Sequence, residues 1–160
     1  MVAFSLISLF LSTMSEWNVP DEPTLREKLT PLQWNVTREE GTEKPFTDNY
    51  HDHKGDGVYV SVVTGQPLFD SRDKFDSGTG WPSFTKPIDP DVTETKEDRK
   101  FFMKRTEVHE KISGAHLGHV FNDGPPPSGL RYCINGAALK FVPREDIPEE
   151  WLQVSSKAKE

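Results

Sequence analysis

Cysteine occurs once in these 160 residues, so no internal disulfide is available and the fold owes nothing to an oxidising compartment. A reducing, cytoplasmic setting is the expectation. An excess of basic residues is missing too. The formal net charge of −7 argues against nucleic acid or an anionic membrane surface as a partner. No run of like charge is long enough to make an acidic or basic tail.

Also missing is an apolar run long enough to cross a bilayer. The one apolar stretch, Val2 to Leu11, resembles the core of a signal peptide, yet no Lys or Arg precedes it and no small-x-small cleavage site follows. It reads as an upstream start before Met14 or as a short segment packed on the domain, with export or organelle targeting as the third reading. Residues 1–18 are therefore set apart as an extension, 19–152 as one domain, and 153–160 as a frayed tail.

Within 19–40, Asp21 caps, Pro23 sits in a first turn, and Leu25, Leu29 and Leu32 recur at helical spacing. Pro31 breaks that pattern, which predicts two short helices. Loop-like "GTEKPFTDNY" and "HDHKGDG" follow. Strands come next: β-branched "GVYVSVVT" over 57–64, then "QPLFDS" as its hairpin partner after Gly65. Residues 98–113 alternate weakly, "HLGHVFND" is short and aromatic, and "LRYCINGAALKFV" over 130–142 reads as a further strand. "DSGTGWPSFTKP" and "NDGPPPSG" are too rich in Gly and Pro to be regular, and "PREDIPEEW" closes on a helical turn. The pattern predicts a mainly β, antiparallel domain with short helices at its start and end.

The chemistry-bearing residues fall on those late strands. In a strand, Arg131, Cys133 and Asn135 share a face. A guanidinium beside a thiol favours the thiolate, the nucleophilic form, whereas a structural cysteine is a small buried hydrophobe. Both readings stay open on this pattern. His116 and His119 flank Gly118 in "HLGHVF". A strict strand places them on opposite faces, and a turn at Gly118 brings them to one point. Acid–base work, a metal site with the cysteine, and ordinary core or surface histidines all fit. His51 and His53, in a polar loop, read as solvated. Trp81 is held between Gly80 and Pro82 in "SGTGWPSF", a loop that presents an indole, and an indole face suits an S-methyl group.

Taken together, "GTEKPFTDNY", "QPLFDSRDKFDSGTGWPSF", "SGAHLGHVFNDGP" and "RYCINGAALKF" resemble the B-type methionine sulfoxide reductases, which act on the R epimer, over roughly residues 25 to 145. The resemblance implies a pair of antiparallel sheets, a β-tent. It implies Cys133 as nucleophile, with Arg131 supporting the thiolate. His116 and His119, with Asp123 behind them and Asn135 nearby, would handle the sulfoxide oxygen. Trp81 would be the methyl-binding wall, and Phe121 would help close the pocket. The product would be methionine and a sulfenic acid on Cys133, in the service of repairing oxidised proteins.

Two departures from the family pattern carry expectations. Many relatives hold zinc with two Cys-x-x-Cys pairs, and here those positions are Ser61, Thr64, Glu110 and Ser113, so no zinc or other cofactor is expected. Many relatives also carry a resolving cysteine where this chain has Thr79. The sulfenic acid would then need an external thiol reductant: thioredoxin, or glutathione with glutaredoxin. The competing class is a β-tent binding module with no chemistry, in which His116 and Cys133 are structural. A His–His–Cys metalloenzyme is the third reading, one whose activity chelators would remove.

Overall fold

The computed structural model describes residues 17–151, so most of the expected extension (1–16) and the expected tail lie outside the described residues. Two short helices open the described chain. Helix α1, Glu22–Lys28, is capped by the Asp21 carboxylate, which accepts from the Thr24 backbone N–H at 3.0 Å. Helix α2, Pro31–Arg38, starts with Pro31 in its first turn and a reciprocal Thr30–Gln33 capping box. Pro31 thus opens a helix rather than merely ending one. Because α2 starts a new helical phase, Leu32 leaves the stripe of Leu25 and Leu29 and is 48% exposed.

The nine strands of the described residues form two antiparallel sheets. A three-stranded sheet has the order β2-β1-β9, with β1 at Gly57–Ser61, β2 at Pro67–Asp70 and β9 at Leu139–Pro143. The hairpin expected around Gly65 is present, with Gly65 at φ +80. The six-stranded sheet has the order β3-β4-β8-β7-β6-β5. Its members are β3 (Lys74–Phe75), β4 (Ser83–Phe84), β5 (Thr93–Asp98), β6 (Arg105–Glu110), β7 (His116–Phe121) and β8 (Arg131–Ile134). No helix among the described residues is long and apolar enough to cross a membrane.

The stretch 130–142, expected as one strand, is two strands in two different sheets. A 3-10 turn at Gly136–Ala138 breaks it. There the chain runs so close to Asp48 that a Cβ on Gly136 would lie 2.6 Å from the Asp48 side chain. This crossover carries the chain from one sheet to the other directly after the cysteine.

Between the sheets lies a core of Tyr59, Phe69, Phe84, Val108, Leu117, Ile134 and Leu139, all buried, with Phe69 and Phe84 stacked at 4.5 Å. The six-stranded sheet turns Val108, Ile134 and Phe84 to this core. Alternation then commits the intervening residues to the opposite face. That opposite face carries the chemistry.

Candidate active site

Directly opposed residues of an antiparallel ladder project to the same side of the sheet, with Cβ atoms about 4.5–5.5 Å apart. Following the register across β4, β8, β7 and β6 gives one row: Ser83 opposes Cys133, Cys133 opposes His119, and His119 opposes Glu107. In the next row Phe121 opposes Arg131. Sheet geometry alone therefore sets the sole thiol beside an imidazole.

His116 reaches the same face by an irregularity. The β6–β7 register shifts between Val108 and His109, so Val108 pairs with Gly118 while His109 pairs with His116. The extra residue in β7 cancels the odd spacing, and His116 and His119 come onto one side with ring centroids 5.6 Å apart. Gly118 serves the ladder rather than a turn. A Cβ there would fall 2.0 Å from the Cys133 carbonyl oxygen.

Burial pushes the half-buried Cys133 thiol up from its ordinary pKa; the charge of Arg131 and hydrogen bonding from Thr79 and Arg131 pull against it without winning. The resting sulfur is therefore a thiol that burial makes harder to ionise, with Arg131 and Thr79 offsetting part of that cost. Arg131 is fixed by a two-pronged pair with Asp123, Nε to Oδ1 at 2.9 Å and Nη2 to Oδ2 at 3.1 Å, and lies 4.4 Å over the Phe121 ring. Asp123 thus stands behind the arginine; the residue standing behind a histidine is Asp98.

Asp98 caps the Lys100 backbone N–H at 2.9 Å, accepts from Arg105 at 3.1 Å and faces His119 Nε2 at 3.2 Å. Those donors, the Lys100 amide first, hold its carboxyl down at about 2. An ionised Asp98 only accepts, so His119 Nε2 carries the hydrogen and Nδ1 keeps its lone pair. Burial lowers the pKa of His119, with Asp98 opposing. Burial also pushes His116 down to about 4, and neither ring nitrogen of His116 has a partner among the described residues.

Asn135 lies past the end of β8 and is 3% exposed. Its Oδ1 accepts from the Glu43 N–H at 3.0 Å and its Nδ2 donates to the Leu117 carbonyl at 2.9 Å. It ties the 43–46 loop to β7. Trp81 precedes β4, is half-buried, and donates its indole N–H to the Glu43 carbonyl at 3.1 Å. Gly80, at φ +89 and packed on Phe46, accepts from the Phe46 N–H at 2.9 Å. Trp81 and the glycine before it are thus both tied to the 43–46 loop. Beside Arg131, a cleft of about 430 Å3 is lined by Phe75, Ser77, Thr79 and Asp123.

Asp98, Glu107, His109, Ser83 and Glu43 were not singled out from the sequence. The alternation in "TEVHE" puts Glu107 and His109 on one face, which is a usable signal. Asp98 gives none, being 21 positions from the histidine it meets.

The four positions at which relatives would hold zinc form a different device. Glu110, fully buried, accepts from Ser61 Oγ at 3.0 Å, from Thr64 Oγ1 at 2.6 Å and from Ser113 Oγ. Each hydroxyl in turn accepts a backbone N–H: Val63 and Thr64 to Ser61, Gln66 to Thr64, and Ala115 to Ser113. A carboxylate and three neutral hydroxyls already bonded to one another do not fit zinc. They do join the β1–β2 turn to the β6–β7 turn.

The family model described as the SelR domain matches residues 29–143. The peptide methionine sulfoxide reductase MsrA/MsrB of Vibrio cholerae serotype O1 is 52% identical over 128 residues, covering 80% of this chain and 34% of that protein. The chain therefore spans about a third of the length of this curated relative.

Proposed function

Because the chain belongs to the SelR family, that of the B-type methionine sulfoxide reductases, we propose that it reduces methionine-R-sulfoxide, protein-bound or free, with Cys133 as the nucleophile. The observation that supports this most is the opposition of Cys133 and His119 on one sheet face.

The reaction is proton-neutral overall. A thiol and a sulfoxide give a sulfenic acid and a thioether, so two electrons pass from the Cys133 sulfur to the substrate sulfur. The oxygen ends on Cys133 and the thiol proton ends on that oxygen. His119 has the place and the tautomer to carry that proton. Its free Nδ1 takes it as the sulfur attacks, Asp98 steadies the transient imidazolium, and the departing oxygen receives it. Arg131 stabilises the sulfur anion during attack. Trp81 offers its indole face to the S-methyl group, and Phe121 backs the guanidinium.

With no second cysteine, turnover calls on an external thiol. Two reductant thiols convert the sulfenic acid to thiol and water and leave as a disulfide; thioredoxin, or glutathione with glutaredoxin, fits that requirement. We place that thiol in the cleft lined by Thr79 and Arg131, the two residues that hydrogen-bond the Cys133 sulfur. The Ser61, Thr64, Glu110 and Ser113 cluster takes over the tethering of the two turns, and the protein works without zinc there.

A single-turnover assay tests this. Without reductant, the protein should form one methionine per chain from the R epimer and leave a sulfenic acid that a dimedone-type trap labels. Cys133→Ser should abolish both. Absence of the burst in the parent chain, or its survival in Cys133→Ser, overturns the reading.

A further inference from the structure

The hairpin tip between β5 and β6 carries three large apolar side chains in a row, and none is packed away. Phe101 is 85% exposed, Phe102 is fully exposed and Met103 is 61% exposed. Two of them also sit on strained backbone. Phe101 and Phe102 have φ of 59 and 60, a left-handed region that suits glycine and disfavours a residue with a bulky side chain. Folding and solubility both argue against phenylalanine at such positions, so the tip calls for a partner.

The tip is held out rather than left loose. The Asp98 carboxylate accepts from the Lys100 backbone N–H at 2.9 Å, and the Met103 N–H donates to the Lys100 carbonyl at 3.2 Å. Lys100 Nζ pairs with Glu40 at 3.1 Å. Asp98 is also the side chain that faces His119 Nε2, so one carboxylate ties the apolar tip to the imidazole opposite Cys133. Lys104, at the base of the tip, lies two strands across from Cys133 and three residues before Glu107. Strand spacings of about 4.8 Å and a rise of about 3.4 Å per residue make that on the order of 14 Å, or about four residues of extended chain.

Three kinds of occupant compete for the tip. A second copy of this chain is disfavoured by area, since a stable dimer covers about 800 Å2 on each partner and three side chains at a hairpin tip do not supply it. An anionic membrane would draw on the flanking cations, but Arg99 and Lys104 pair with Glu97, Lys100 pairs with Glu40, and the chain carries −7 overall. Apolar side chains of an extended polypeptide, its sulfoxide already in the site, require neither a large area nor free cations.

We propose that Phe101, Phe102 and Met103 dock apolar residues about four positions from the sulfoxide in an extended, protein-bound substrate, and so set which oxidised methionines are favoured. This docking rests on the reduction proposed above and adds a sequence preference to it.

Two peptides with a single methionine-R-sulfoxide test it on the full chain. One carries Leu at the third to fifth positions on both sides, the other Ser. In the parent, kcat/KM should favour the Leu peptide at least about fivefold, through KM rather than kcat. Phe101→Ser with Phe102→Ser should bring that ratio to about one. Phe102→Ser alone changes a fully exposed side chain, should also lower the ratio, and carries the test if the double variant misfolds. A parent with no preference, or a preference that survives these variants, overturns the docking. Dimerisation or binding to phosphatidylserine vesicles that the variants lose, with the peptide ratio unchanged, overturns it as well and gives the tip to that partner. Failure of the parent to reduce either peptide sinks the reduction together with the docking, whereas turnover with an unchanged ratio sinks the docking alone.

Discussion

His119 stands directly across the β7–β8 ladder from Cys133, and its Nε2 is held 3.2 Å from the Asp98 carboxylate. One pairing of strands thus gives the thiol a neighbour whose free nitrogen can take its proton. His119→Gln should lower kcat by about 10²-fold or more, the usual worth of a positioned acid–base group, with little change in KM. Asp98→Asn should lose less, since it removes the orienting charge and not the relay. Steady-state kinetics on the R epimer measures both; a His119→Gln protein within about threefold of the parent would place the proton transfer elsewhere.

Gly118 is the hinge of that geometry. A methyl group there meets the Cys133 carbonyl oxygen at 2.0 Å, backbone against a new side chain, so the ladder itself must give way. Gly118→Ala should destabilise the fold by about 2 kcal/mol or more and reduce activity along with it. Urea unfolding followed by tryptophan fluorescence gives the midpoint; an unchanged midpoint would contradict the close approach.

Glu110 accepts from three hydroxyls whose own lone pairs are occupied by backbone N–H groups. An amide in its place must turn an N–H toward one of those donors. Glu110→Gln should therefore cost about 1–3 kcal/mol despite near-identical shape. Ser113→Ala, which removes one donor only, should cost less. Equal stability of Glu110→Gln and the parent would show that the cluster does not hold the turns.

Glu43 sets a pH dependence. Burial, with Asp48 adding to it, pushes its carboxyl from 4.5 up to about 7, while the Gly136 and Ala137 amides oppose the shift. The folded state then keeps a proton that the unfolded chain releases. Stability should fall as pH rises from about 4.5 to about 7, and flatten above, by on the order of 3 kcal/mol. Glu43→Gln should remove that slope and be the more stable protein at pH 8, because the backbone groups that hold Asn135 and Trp81 remain. Thermal or urea unfolding across that range checks it; parallel profiles for the two proteins would refute it.

The linear chain was most readable where a feature is local. Asp21 and Pro31 announced their helices, Gly65 its hairpin, and the run of motifs around Cys133 the family. It was least readable where pairing is distant. Leu32 belonged to an apolar stripe by spacing and left it because Pro31 restarted the helix. The stretch 130–142 looked continuous and is divided between two sheets, since only packing against Asp48 reveals the break at Gly136. Asn135 shares a face with Cys133 in an ideal strand, whereas its amide is committed to Glu43 and Leu117 beyond the strand's end.

Residue identity by itself determined which atoms this protein has to work with: one thiol, no second to close a disulfide, and hydroxyls with a carboxylate where relatives would bind zinc. The tertiary structure alone decided which of them meet. Strand register aligned Ser83, Cys133, His119 and Glu107, a single irregularity brought His116 to the same side, and folding carried Asp98 to a histidine 21 positions away. The physical reason is that ladder pairing and burial are non-local. Alternation fixes the face a side chain takes, while its neighbour across the sheet is fixed only when distant strands choose each other.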